Sequence, residues 1–147
     1  MFNFFKKKFK PLSEYPKDSW SILEQKDAGL IIRINDGLKE AIGHPDYPVK
    51  MGVAVPVKND PKKTFSQKDQ LEEMIGEILG HDGIVTCVIN GMKEPQFFEF
   101  LVYIKNGLNL DSIGKSLEEK FPDLSIQMYA KLDPKWEAYK SFFKRMS

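Results

Sequence analysis

The feature that most constrains this chain is the order in which two apolar patterns alternate between Val49 and Lys131. Apolar residues recur at every second position in four segments, as in strands, and at every third or fourth position in two segments, as in helices. The order is strand, helix, strand, strand, helix, strand, which is typical of the ferredoxin-like βαββαβ antiparallel sheet with two helices on one face. The sequence therefore predicts an α+β fold. Because many unrelated activities use that fold, it predicts no function by itself.

Turn and cap signals set the expected boundaries of this core. Ser66 is expected to cap the first helix and Gly80 to end it, while Asn90-Gly91 is expected to turn the central hairpin. The second helix is predicted over Asp111–Phe121 and the last strand over Ser125–Lys131.

Further elements are predicted on both sides of the core. Trp20–Gln25 and Leu30–Asn35 are expected to form an added N-terminal β-hairpin, and Asp133-Pro134 is expected to cap an added C-terminal helix. The chain is divided into a basic-aromatic tail and linker, residues 1–19, and a single α+β domain, residues 20–147.

The strand at Gln96–Lys105 is apolar on both faces, whereas two helices can cover only one face of the sheet. The second face is expected to be covered by the C-terminal helix with the N-terminal hairpin, in preference to a second subunit. The reason is that the helix with Trp136 has nowhere else to pack. On this view Trp20, Trp136 and Tyr139 form one aromatic cluster that joins the two ends of the domain.

Composition narrows the class of protein. With one cysteine among 147 residues the chain has no internal disulfide, which favours a reducing cytoplasm. The net charge is +1, and residues 1–10 contribute four lysines, so residues 11–147 carry a net charge of −3. This part of the chain therefore lacks the positive charge that attracts DNA. The aromatic strand Phe97–Tyr103 superficially matches an RNA-recognition platform. However, Pro95-Gln96 replaces the Lys/Arg-Gly pair expected at its start and Glu99 would repel phosphate, so RNA is an unlikely partner.

Short motifs at both ends of the domain carry a resemblance. They are Trp20, Arg33-Ile34-Asn35, Asp46-Tyr47-Pro48 and the closing Leu132–Tyr139, in which Asp-Pro-x-Trp-x-x-Tyr is the most specific. Together they resemble the bacterial family catalogued as domain of unknown function 695, over about Trp20–Phe143. The family has no established chemistry, but it is distantly similar to small regulators that bind and inhibit ribonuclease E. The resemblance thus implies a protein-binding role by analogy alone.

Two sets of charged residues are candidate partner contacts. The solvent face of the first helix carries Asp69, Glu72, Glu73 and Glu77. Arg33 and Asn35 point to one side of their strand, which suits a receptor for a carboxylate or phosphate. The alternative, which we favour, is an ion pair between Arg33 and a strand acid such as Glu99 or Glu24.

Candidates for catalysis are few. His81 and Asp82 follow the first helix, and together with Glu73 and Glu77 they are a weak metal-site candidate, because Gly80 is expected to end the helix before His81 is aligned. Cys87 lies in mid-strand, where a cysteine usually serves as a small buried hydrophobe. We therefore expect no catalysis, no metal and no cofactor.

The basic-aromatic tail is a further candidate. In a short helix Phe2, Phe5 and Phe9 would share one face, with Lys6, Lys7 and Lys10 elsewhere, which suits weak attachment to an anionic membrane. The alternative is a solvated terminus without a function.

The sequence thus predicts a bacterial cytoplasmic module, monomeric or homodimeric, that binds a protein partner as a regulator or inhibitor. Membrane attachment through the tail, at the inner face of the membrane, is one alternative. An enzyme or small-ligand binder that uses the Arg33 region is the other.

Overall fold

The structure, a computed structural model, describes residues 8–58 and 60–146. Within them six strands form one antiparallel sheet in the order β1-β2-β4-β5-β3-β6. The strands are β1 (Trp20–Gln25), β2 (Leu30–Asn35), β3 (Val49–Pro56), β4 (Gly83–Gly91), β5 (Phe97–Ile104) and β6 (Gln127–Leu132). The α-helices are α1 (Pro61–Ser66), α2 (Lys68–Leu79), α3 (Leu110–Lys120) and α4 (Glu137–Met146). The predicted α+β class and the predicted hairpin and C-terminal helix are confirmed.

One face of the sheet is covered by α2 and α3. The alternating pattern of β3 turns Val49, Met51, Val53 and Val55 toward these helices, because successive side chains of a strand point to opposite faces. The same face of β5 adds Phe98 and Phe100, both fully buried. Since these aromatic rings belong to the core, their surface is not available for stacking nucleic-acid bases.

The second face of the sheet is covered by α4, and Trp136 and Tyr139 are fully buried against it. The expectation of a cover from the same chain is confirmed for the C-terminal helix. It is wrong for the hairpin, because β2 pairs with β4 and extends the sheet sideways. The chain before β1 contributes instead, since Leu12 and Tyr15 are buried in the same cluster.

Two predicted local signals have other roles. Ser66 ends α1 and donates to the carbonyl of Lys63, while Asp60 caps α1 by accepting from the Lys63 N–H. The Asn90-Gly91 pair forms the last two residues of β4, so the connection to β5 is made by residues 92–96. The Asn90 side chain explains the difference, because it accepts from Lys68 and donates to the Ile31 carbonyl.

No helix of the described residues is long and apolar enough to cross a membrane.

Candidate functional site

The sheet is wider than the helix layer, and this mismatch leaves a cleft beside α2. The β1–β2 hairpin extends past the outer edge of α2, and the chain around Leu12 and Lys17 closes one end of the gap. The cleft has a volume of about 500 Å³. The lining consists of apolar, polar and glycine residues from β1, β2, α2, β4, the Gly80–Asp82 segment and the segment before β1, chiefly Trp20, Arg33, Asn35, Asp69, Glu72, Glu73, Gly76, His81 and Ile84.

Arg33 is held in the cleft between an aromatic ring and a carboxylate. Its guanidinium carbon lies 4.5 Å from the centroid of the Trp20 ring, and its Nη2 donates to the carboxylate of Glu72 on α2. The expected ion pair thus exists, but its predicted partners Glu99 and Glu24 were wrong. Trp20 lies on this side of the sheet, so the predicted cluster of Trp20 with Trp136 and Tyr139 is wrong as well.

The acidic residues of α2 fall into two groups. Asp69, Glu72 and Glu73 line the cleft opposite Arg33, because positions three and four apart share one face of a helix. Glu77 is exposed and does not line the cleft. In the described part of the chain Asp69 and Glu73 make no ion pair. Two carboxylates therefore remain open to a ligand.

Lys68 precedes this row at the start of α2. Its Nζ donates to Asn90 Oδ1 at 2.6 Å. Burial, followed by the nearby positive charge of Arg33, holds the pKa of its ammonium group below the ordinary value.

Asn35 forms the inner end of the cleft. It is 2 % exposed, and its Nδ2 donates to the Lys17 carbonyl at 3.3 Å. Its Oδ1 accepts no hydrogen bond from the described residues. The backbone carbonyl of Asn35 accepts from the Tyr139 hydroxyl at 2.7 Å, which connects the cleft to α4 across the sheet.

The Asp-Pro-x-Trp-x-x-Tyr motif holds this connection in place. Asp133 caps α4 by accepting from the Glu137 and Ala138 N–H groups, as predicted, and it also accepts from the Tyr103 hydroxyl. Trp136 stacks on the Tyr103 ring with centroids 4.3 Å apart and donates to the Tyr47 carbonyl. The motif therefore has a structural role that sets the position of Tyr139, and through it of Asn35.

Gly76 makes room in the cleft. A Cβ atom at this position would have no atom within 4 Å, although the residue lies in the middle of α2. A larger side chain at position 76 would thus enter the cleft without displacing the fold.

The other candidate groups are placed as follows. His81 lies in a short 3-10 helix, Gly80–Asp82, that follows α2, and it lines the cleft together with Glu73. Among the described residues no three His, Cys, Asp or Glu side chains come together as metal ligands. Cys87 is fully buried, and burial raises the pKa of its thiol to about 12, which suppresses the reactive thiolate.

The tail residues named as membrane contacts are only partly described. Phe2, Phe5, Lys6 and Lys7 lie outside the described residues. Phe9 packs its ring 5.0 Å from that of His44, and the Lys10 ammonium lies over the Tyr15 ring. These two residues are therefore engaged with the body of the protein, and neither is in a helix.

Comparison with known proteins gives one match. The model of a family of unknown function (DUF695) matches residues 18–143, which include every element of the sheet. A search of curated proteins finds no match.

Proposed function

The chain belongs to DUF695, a family of unknown function, and we propose that it is a non-catalytic module that binds a segment of another protein in the cleft. The main support is that the Arg33 guanidinium is held in an open cleft, between the Trp20 ring and the Glu72 carboxylate. Arg33 is already oriented by Trp20 and Glu72, so little side-chain freedom is lost when a ligand binds.

The shape of the surroundings favours a chain segment over a small molecule. Ile22 lies directly opposite Arg33 in the β1–β2 pairing and therefore points to the same face of the sheet. It is 70 % exposed. The cleft thus borders an exposed apolar side chain of the hairpin, which an extended or helical segment can cover.

A binding role also fits the chemistry of the candidate residues. The charged group most firmly placed in the cleft, Arg33, is neutralised by Glu72, and the Cys87 thiol is buried away from the cleft. Regulation or inhibition of the bound partner, in the cytoplasm of a bacterium, belongs to the same proposal. Attachment to a membrane has less support, since Phe9 packs against His44.

For the fold we infer that β3 to β6 with α2 and α3 form a ferredoxin-like unit. The inference is supported by the order β4-β5-β3-β6, in which the first and third strands of the unit are central and antiparallel. On this view the β1–β2 hairpin is an addition to the unit, and it is this addition that makes the cleft.

The proposal is tested by filling the cleft from Gly76. A photo-reactive amino acid at position 73, compared with one at position 77 outside the cleft, identifies the partner by cross-linking in cells. The affinity of the purified partner is then measured for the unmodified protein, Gly76→Leu and Gly76→Ala.

We expect Gly76→Leu to weaken binding by about tenfold or more, since its side chain occupies the cleft, and Gly76→Ala to leave binding nearly unchanged. Both variants should unfold at a temperature no lower than that of the unmodified protein. Equal binding by the leucine variant would contradict the proposal.

A further inference from the structure

The outer edge of β6 is the most open strand edge of the described chain. On its inner side β6 pairs with β3, and no described strand pairs with its outer side. Five of its six residues are exposed, and neither a proline nor a bulge interrupts it. Such an edge presents a row of unpaired backbone donors and acceptors, which is a template for another strand.

The two faces of β6 differ in character. Met128, Ala130 and Leu132 pair with Val53, Met51 and Val49 of β3, so they point toward the layer of α2 and α3. Tyr129 and Lys131 point to the other face. Leu132 is 66 % exposed, which is unusual for a leucine on the helix side of a sheet.

From this pattern we infer that β6 pairs antiparallel with β6 of a second copy, forming a homodimer whose sheet is continuous across the interface. The two-fold axis passes through the pair formed by Ala130 of each copy. This inference does not depend on the function proposed for the cleft.

The register follows from complementarity between the two copies. With Ala130 on the axis, Met128 of each copy lies opposite Leu132 of the other, and the exposed leucine is covered by an apolar side chain. On the opposite face Tyr129 of each copy lies opposite Lys131 of the other, a pairing of ring and cation. A register centred on Lys131 would instead place two lysines opposite each other.

Lys131 of the second copy reaches the Tyr129 ring across β6. The ring leans inward from the open edge over Gly52 of β3, its hydroxyl donates to Glu99, and the Lys50 ammonium lies 6.0 Å from its centroid. The ring is thereby held flat against the sheet and is still 43 % exposed. Lys131, which lies opposite Lys50 in the chain's own sheet, gains an attractive neighbour in the second copy.

The helix side leaves room for the second copy. A groove of about 510 Å³ separates α3 from β6 and is lined by Leu110, Gly114 and Met128 among others. Its rim carries charges of both signs, Asp111 and Glu118 with Lys115, so that a second copy meets no barrier of like charge. Leu132 of the second copy, placed opposite Met128, lies at the mouth of this groove.

The test uses charge exchange on the two-fold axis in the full-length chain. Ala130→Lys and Ala130→Glu each place like charges opposite each other, and sedimentation should show the dissociation constant of the dimer raised by about tenfold or more for each variant alone. An equimolar mixture of the two should form a heterodimer at least as stable as the original dimer. A merely misfolded variant cannot produce that recovery.

The matched control is Ile22→Lys, a substitution of another exposed residue, on β1 at the opposite edge, which should leave dimerisation unchanged. Ala130→Cys should also form a cross-linked dimer on mild oxidation, whereas Gln127→Cys should not. A protein that stays monomeric at the highest attainable concentration would overturn the inference, as would a dimer that is insensitive to charge at position 130.

Discussion

At the scale of single residues, the Asp133 side chain joins β5 to α4. Its side chain accepts from the Tyr103 hydroxyl of β5 at 2.7 Å and from the Glu137 N–H of α4 at 2.8 Å. Burial alone would raise the pKa of this carboxyl, but the hydrogen bonds from Tyr103, Ala138 and Glu137 outweigh it and hold the pKa below the ordinary value.

The lowered pKa of Asp133 predicts an acid-dependent contribution to stability. A carboxyl whose pKa is lower in the folded state stabilises the fold above its unfolded pKa, and this contribution is lost as the pH falls through the folded pKa. Asp133→Asn should lower the free energy of unfolding by about 1–2 kcal/mol near neutral pH and by less in acid. Urea titrations of both proteins between about pH 7 and about pH 3 measure the difference.

Asp27→Asn, in the turn between β1 and β2, is the control for the loss of a negative charge. It should change stability little at any pH. If Asp133→Asn lowers the free energy of unfolding as much in acid as at neutral pH, the prediction is wrong, because the lost hydrogen bonds then do not depend on the charge of Asp133.

At the scale of elements, two glycines show how differently a strand and a helix tolerate a side chain. Gly52 of β3 lies under the Tyr129 ring of β6, whereas Gly76 of α2 faces the open cleft. We expect Gly76→Ala to raise the free energy of unfolding by about 0.5–1 kcal/mol, because alanine is the better helix former. Gly52→Ala should lower it by about 1–3 kcal/mol, because the ring must move.

Thermal and urea unfolding of the two alanine variants check these signs. In Gly52→Ala the ring can no longer lie flat on the sheet, so dimerisation through β6 should weaken as well. A stabilised Gly52→Ala would mean that the ring moves aside without cost.

The elements also show what the sequence could and could not predict. β1 and β2 begin and end where alternation and turn residues placed them, because both signals are local. The Asn90-Gly91 turn failed because contacts from Lys68 and Ile31, distant in sequence, draw Asn90 into the strand. In the site, the acidic row of α2 and the orientation of Arg33 were predictable. The contact between Arg33 and the acidic row was not predictable, because it depends on the hairpin extending past the helix layer.

At the scale of the whole molecule, one hydrogen bond links the C-terminal helix to the cleft on the opposite side of the sheet. Tyr139 of α4 is fully buried and donates to the carbonyl of Asn35, whose side chain lines the cleft. Burial raises the pKa of the Tyr139 hydroxyl above its ordinary value, so it remains a donor throughout the physiological range. The hydrogen bond from Tyr139 to Asn35 therefore does not change with pH, whereas the hydrogen bonds of the Asp133 carboxylate weaken in acid.

Tyr139→Phe tests whether this link positions the cleft, since it removes one oxygen and keeps the ring packed between Trp136 and Phe143. The free energy of unfolding should fall by about 1 kcal/mol, and amide hydrogen exchange at the end of β2 should accelerate. Tyr15→Phe is the matched control: its hydroxyl accepts from the Lys10 N–H on the same face of the sheet, so its loss should accelerate exchange near Lys10 and not at Asn35. If exchange at Asn35 is unchanged in Tyr139→Phe, the cleft is held by the hairpin alone, and α4 serves only to cover the second face of the sheet.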